Sequence, residues 1–381
     1  MASLHTRRAF VSALAIAARG AEPGEAESRA ERSTVAPSEM RRFRDSATEF
    51  ELTRLTDPQK AAAILAAPPL KTVSSRNNFL IYCSDRSGSM QAWRMDLKSG
   101  ESRLWTNARA LDPRSISLLR DERSLICIDD NQVVLLNPKP KVIYTAEQGW
   151  TFSPGFSISD DGVWATVVEQ KSGRFRLRVL SIARGTASTI FEAPHAVRYV
   201  RFRPNRQTLV YNHGGLLTTV NPDGRASKQL NLPPGVAGEP LWSADGLALH
   251  YLLNVDRERG KSVQIREYLP DSAEDRLIGA TTQFVSFARN GDSSVFAGVS
   301  GSKGAPYILL YVRSARRELT LAEHRSSSAE NTVVTFSSNS QRLFYGSDRE
   351  GKPAIYAMGL DRFVEKTETG AIGRPASASM C

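Results

Sequence analysis

The sequence predicts an all-β fold, a seven-bladed β-propeller closed by an N-terminal strand, and three observations predict it. From Leu52 onward, short β-rich runs alternate with turn signals, and little of the chain keeps a helical period. Apolar runs recur seven times, as FLIYC (79–83), SLICI (124–128), VWATVV (163–168), TLVYN (208–212), LALHYLL (247–253), SSVFAGV (293–299) and RLFYGS (342–347). They lie roughly 40–50 residues apart, the period of a four-stranded blade. Turn clusters precede several of them: Ser159-Asp160-Asp161-Gly162, Ser243-Ala244-Asp245-Gly246 and Ser337-Ser338-Asn339-Ser340, with Asp223-Gly224 and Asn290-Gly291 at other strand boundaries. Such residues tolerate the positive φ of tight turns. We take the seven apolar runs as the inner strands of seven blades.

In chain order, the first element is an address. Arg7-Arg8 are followed by Ala9-Phe10-Val11 and a short apolar stretch from Ala13 to Ala18, which makes residues 1–20 a signal peptide with the T-R-R-x-F-V pattern of the twin-arginine route. That route exports folded proteins, so the expected location is periplasmic or secreted. The stretch is too short to span a bilayer once mature, and no later apolar run reaches the roughly 18–20 residues that a span needs. Residues 21–49, rich in Ala, Glu, Ser and Arg, are expected to form a disordered tether. Ordered sequence is expected to begin near Phe50. The alternating run from Phe50 to Thr56 is a free strand, suited to serve as the outer strand of the seventh blade and so remove an exposed edge. The propeller then occupies residues 50–365, and residues 366–381 are a disordered tail.

Two blades share a unit. Ser84-Asp85-Arg86-Ser87-Gly88 leads to Trp93-Arg94-Met95-Asp96-Leu97, and Ser347-Asp348-Arg349-Glu350-Gly351 leads to Tyr356-Ala357-Met358-Gly359-Leu360. This unit resembles the TolB/PD40 repeat signature. Its Asp and Arg are expected to pair within the hairpin, in a structural role.

Composition narrows the partners. The chain of 381 residues carries a formal net charge of +10, which suits an anionic partner. Basic residues are interleaved with Asp and Glu, and no Lys/Arg block or nucleic-acid motif is present, so DNA and RNA are excluded as partners. Cys83 and Cys127 sit in apolar runs and Cys381 ends the chain, which is neither a disulfide framework nor a zinc pattern. The five histidines, His5, His195, His213, His250 and His324, form no H-x-H or H-E-x-x-H pair, so spacing supports no metal site. His250, inside a strand run, reads as core packing. A propeller gathers its functional groups at one mouth of the central channel. On that logic the candidates are Arg203, His213, Glu239, Gln283 and the loop at 326–331.

Over most of residues 51–360 the chain resembles the oligogalacturonate lyase family. The matching segments, in order, are Arg54-Leu55-Thr56-Asp57-Pro58; Val142-Ile143-Tyr144 followed by Gly149-Trp150; Phe202-Arg203-Pro204 followed by Asn212-His213-Gly214; and Glu350-Gly351-Lys352-Pro353-Ala354-Ile355-Tyr356. The resemblance implies β-elimination of pectin-derived oligogalacturonides: a metal, usually manganese, neutralises the uronate carboxylate while a base removes the C5 proton. It also implies a substrate-binding and catalytic role for Arg203, and places His213 and Gln283 at the substrate. The family's base segment H-E-F-W stands here as Glu239-Pro240-Leu241-Trp242, which makes Glu239 the candidate base. Its metal-binding histidines are replaced by Gln283, Asn331 and Val333, so the family's metal is not expected to be retained. Two functions follow as alternatives: an exported lyase-like enzyme acting on an anionic oligosaccharide, or a non-catalytic TolB-like propeller that binds an oligosaccharide or an envelope protein.

Overall fold

The computed structural model describes residues 34–367, apart from 258 and 259. The signal at 1–20, the first part of the tether and residues from 368 on lie outside the described residues. The rest forms seven antiparallel sheets, five of four strands and two of five, arranged as the blades of a propeller. Within each blade the chain starts at one edge strand and works outward. The seven starting strands are Ala63–Ile64, Ser117–Leu118, Thr151–Ile158, Val197–Phe202, Val236–Trp242, Phe284–Arg289 and Val334–Phe336. These innermost strands line the channel.

The apolar runs are therefore second strands, not inner ones: Phe79–Ser84, Leu125–Asp129, Trp164–Lys171, Leu209–His213, Leu249–Arg257, Val295–Ser300 and Arg342–Ser347. The reason is packing. A second strand is sandwiched between two neighbouring blades on both faces, so all six residues of Phe79–Ser84 are buried. An innermost strand has one edge on the channel and carries polar residues and bulges, so its apolar signal is broken.

One backbone bond recurs in every blade and sets a common register. Between the first and second strands of each blade the N–H of residues 74, 119, 159, 203, 243, 290 and 337 donates to the carbonyl five residues on, at 2.7–3.2 Å. These positions are 40 to 47 residues apart, within the spacing read from the apolar runs. The Ser/Asp turn clusters are these turns. Ser159 Oγ donates to Asp161 at 2.6 Å and accepts from Trp164 N at 2.9 Å; Ser337 Oγ donates to Asn339 at 2.8 Å and accepts from Arg342 N at 2.9 Å. They lie between the first and second strands of a blade, and so mark one end of the channel, the turn end. The opposite end, where the chain enters each inner strand, is the entry end.

Closure follows the expectation for Phe50–Thr56. Strand Glu51–Arg54 pairs antiparallel with Ala354–Gly359 of blade 7, with Leu52 opposite Met358. The motifs Arg54–Pro58 and Glu350–Tyr356 meet at this seam: Arg54 bonds Glu350 at 2.6 Å and Asp57 at 3.2 Å, and Leu55 N donates to Ile355 O at 2.7 Å.

The tether is a correction. Within residues 34–49, strand Arg41–Arg44 becomes the outermost strand of blade 7, and Val35–Ala36 becomes that of blade 1. Two carboxylates anchor this segment. Glu39 receives both guanidinium nitrogens of Arg86, at 3.0 and 3.4 Å, and Arg349 lies 3.6 Å from the buried Asp45. Low apolar content concealed an ordering that rests on buried ion pairs.

The same contacts correct the S-D-R hairpins. Asp and Arg do not pair with each other. Asp85 accepts from Ala62 N at 2.9 Å and Asp348 from Ser327 N at 2.8 Å, so each acid ties down the segment entering its own blade's inner strand, while the arginines reach outward to the N-terminal segment.

Candidate functional site in the central channel

The common register shows which side chains share a level of the channel. Counting four residues back from each turn position gives Leu70, Ser115, Gly155, Tyr199, Glu239, Ser286 and Val333. Glu239 is the single carboxylate of this ring. Tyr199 and Glu239 both have positive φ, 52° and 50°, and both sit in breaks of the register between the inner and second strands of their blades. The breaks interrupt the strand alternation that would send these side chains between the blades.

The Tyr199 hydroxyl and the Glu239 carboxylate are neighbours, with Arg201 as the nearby cation. Burial pushes the Glu239 carboxyl above the usual carboxylate range; Arg201 and the neighbouring Tyr199 hydroxyl oppose that rise. Burial, then the Glu239 charge, pushes the Tyr199 phenol up to about 12. The result is a base beside a phenol that stays protonated at neutral pH.

The other candidates divide between the two ends. Gln283 precedes the inner strand of blade 6 and is exposed at the entry end, where its Oε1 accepts from Ser300 Oγ at 2.7 Å. Asn331 ends a short 3-10 helix, Ala329–Asn331, ahead of the inner strand of blade 7. Its Oδ1 faces Nη2 of Arg114 at 3.5 Å, from the loop entering blade 2. His213 lies at the entry end opposite Val197; its ring stacks 6.3 Å from that of His195, and its buried Nε2 has no partner.

Arg203 is not among them. It is the turn residue of blade 4, at the opposite end of the channel from Gln283 and Asn331. Its Nε donates to Gly246 O at 2.6 Å, an Nη bonds Asp271 at 3.0 Å, and its guanidinium lies 5.3 Å from the Trp242 ring. A Cβ on Gly246 would come within 2.2 Å of Pro204 O, so only glycine fits this junction of two turns. Arg203 thus stitches blade 4 to blade 5, which removes the geometric basis for a catalytic role.

The remaining histidines are structural. His250 is fully buried, with Nε2 3.1 Å from Glu267, which also takes both Nη groups of Arg313 from blade 6 at 2.8 and 2.9 Å. His324 Nδ1 accepts from Ser326 N at 3.0 Å, and Nε2 lies 3.2 Å from Ser300 O. Cys83 and Cys127 are buried free thiols, as their apolar runs imply, and burial pushes Cys127 up to about 12.

Sequence reasoning missed Tyr199, Arg201 and Arg114. Tyr199 and Arg201 carry a signal only once the turns are aligned, because each stands at a position where most other blades have small or apolar residues.

No family model matches this chain, and no curated protein matches it. Solved structures do. An oligogalacturonate lyase in complex with manganese superposes with a TM-score of 0.79 over 85% of this chain and 97% of that one, at 17% identity. The oligogalacturonate lyase of Vibrio parahaemolyticus gives 0.77 over 86% and 98%, at 18% identity. The chain has the oligogalacturonate lyase fold. Hydrazine synthase from Kuenenia stuttgartiensis, at 0.55 and 12% identity over 77% of this chain, is a more distant likeness.

Manganese does not fit the residues present. Among the described residues no three His, Cys, Asp or Glu side chains are placed to share an ion. The Glu239 ring offers one carboxylate and, at Val333, a hydrocarbon. Gln283 and Asn331 supply only neutral amides, and Asn331 already faces a guanidinium.

Proposed function

We propose that this chain is an exported, lyase-like propeller that admits an anionic oligosaccharide at the entry end of its channel and cleaves it by β-elimination, with Glu239 as base. The observation that carries this reading is the buried Glu239 carboxylate beside the Tyr199 phenol in the channel. Oligogalacturonide is the substrate favoured by the fold and by the ordered motifs. The twin-arginine pattern of residues 6–11 supports export to the periplasm or beyond.

The chemistry uses this chain's own residues. Glu239 takes the proton from C5 of a uronate. The C–H electron pair becomes the C4–C5 double bond as the bond from C4 to the glycosidic oxygen breaks. Tyr199 delivers its proton to that departing oxygen, and the phenolate recovers a proton from the neighbouring Glu239. Arg198 and Arg114, which form no ion pair with a carboxylate, stand at the entry end to receive uronate carboxylates. Burial makes Glu239 a stronger base than a surface carboxylate.

The alternative is a propeller that binds without turnover, favoured by the apolar Val333 and neutral Gln283 at positions where the family resemblance implies metal-binding histidines. One assay separates the two. Oligogalacturonate is incubated with the protein in a chelator, and the ultraviolet absorbance of the unsaturated uronide is followed. Product formation that Glu239→Gln lowers by about 100-fold or more supports the lyase. Saturable binding with no product establishes the binder instead.

A further inference from the structure

Removing the C5 proton of a free uronate builds negative charge beside a group that is already an anion, so that carboxylate has to be neutralised in the site. The family resemblance implies a metal for this task, and among the described residues none are placed to hold one. The other solution is a cation of the chain at the level of Glu239, and the ring supplies none.

The residues that share the level of Glu239 are Leu70, Ser115, Gly155, Tyr199, Ser286 and Val333, none of them a cation. Both serines are engaged with the backbone. Ser115 Oγ donates to Asp112 O and accepts from Ile128 N, each at 2.8 Å, and Ser286 Oγ donates to Thr332 O at 3.0 Å. Two arginines lie deeper. Arg201 is the single charge two residues before the turn positions, and Arg289 the single charge one residue before them. Both are committed. Arg201 is the cation of Glu239; Arg289 donates to the carbonyls of Trp242, Asn290 and Gly291, with the Asp160 charge offsetting its own. Arg114 and Arg198 stand one residue outside the ring, both exposed, with Arg114 against Asn331 at 3.5 Å. From there they meet the flanking sugars.

What surrounds the base is neutral or apolar. Leu70 is buried and Val333 half-buried. At the entry end of the two blades that carry Tyr199 and Glu239, Leu216 and Val236 are exposed by 47% and 58%. Gln283 accepts from Ser300 at its Oε1, which leaves its amide nitrogen as a donor. A neutral amide bonds a carbonyl oxygen but does not cancel a carboxylate's charge. A carboxylate brought to this level would also face Glu239 as a like charge and favour the protonated form of the base.

We infer that the sugar from which Glu239 takes the proton carries its carboxyl group as a methyl ester, while its neighbours are free uronates. This inference rests on the lyase reading above. An ester brings no charge to be neutralised, and its carbonyl takes up the electron pair released at C5 before the bond from C4 to the glycosidic oxygen breaks. The proton leaves C5 for Glu239, and Tyr199 supplies one to the departing oxygen. The ester bond stays intact, so the products are a methyl uronide with a C4–C5 double bond and the shortened sugar chain. The neighbouring carboxylates remain for Arg114 and Arg198.

The test compares trigalacturonate methyl-esterified on its central sugar with the same material after saponification. Each is incubated with the full chain and a chelator at neutral pH, and the ultraviolet absorbance of the unsaturated product is followed. The inference expects kcat/KM on the ester to exceed that on the free acid by at least about tenfold, with both lost in Glu239→Gln. A smaller difference, faster turnover of the free acid, or ester turnover untouched by Glu239→Gln would overturn it. Turnover of the free acid equal to that of the ester, and dependent on Glu239, overturns this inference alone and leaves the lyase reading standing. Turnover of neither overturns both.

Discussion

At the scale of single residues, burial decides what each ionisable group does. Glu239 and Glu267 are both screened from water, and they move in opposite directions. Glu239 has one nearby cation, Arg201, and a phenol, and burial wins, so its pKa rises. Glu267 accepts from His250 and from Arg313, and these carry it from 4.5 down to about 2. The lowered value makes Glu267 a source of stability that is full above about pH 4.5 and lost as pH falls toward 2, on the order of 3 kcal/mol. His250, lowered by burial, adds to the same acid loss. Urea unfolding at a series of pH values should therefore show Glu267→Gln less stable than the parent at pH 7, with the gap closing toward pH 2; a gap independent of pH would contradict this. Arg203 gives a second prediction at this scale. Arg203→Ala should lower the melting temperature, because it unties two turns, while turnover per folded molecule stays unchanged. A large loss of turnover at constant stability would restore Arg203 to the site.

At the scale of elements, the N-terminal segment carries the main surprise. Its strands have few apolar residues, and composition read them as a tether. What orders them is the Arg86–Glu39 and Arg349–Asp45 pairs, whose partners lie far apart in sequence. Such pairing has no local periodicity, so no window of sequence could show it. The closing strand, by contrast, was legible, because alternation and the need to cover an edge are local arguments. Glu39→Ala leaves the nearly buried Arg86 without its carboxylate and should cost about 3 kcal/mol, read as a fall in the denaturation midpoint. No change in the midpoint would mean that the segment contributes nothing to closure. The inner strands were misplaced for a related reason: hydrophobicity peaks where a strand is covered on both faces, and in this fold that is the second strand.

At the scale of the whole molecule, blade number, repeat period and closure were readable because a propeller states each of them seven times. The site was readable only in part. Glu239 could be found by its place in a motif, and it does lie in the channel. Tyr199, Arg201 and Arg289 could not, because their meaning is a departure from a ring, and a ring exists only when seven turns are superposed. The seven-fold repeat also separates two ends, with a base and its phenol facing the entry side and Arg201 and Arg289 toward the turn side. The proposed metal-free elimination by Glu239 is tested by the pH dependence of kcat/KM on oligogalacturonate in the presence of a chelator. A base with a raised pKa predicts activity that climbs with pH along a limb lying above the usual carboxylate range, and that limb should vanish in Glu239→Gln. Activity that appears only on adding manganese, with Glu239→Gln equal to the parent, would contradict it.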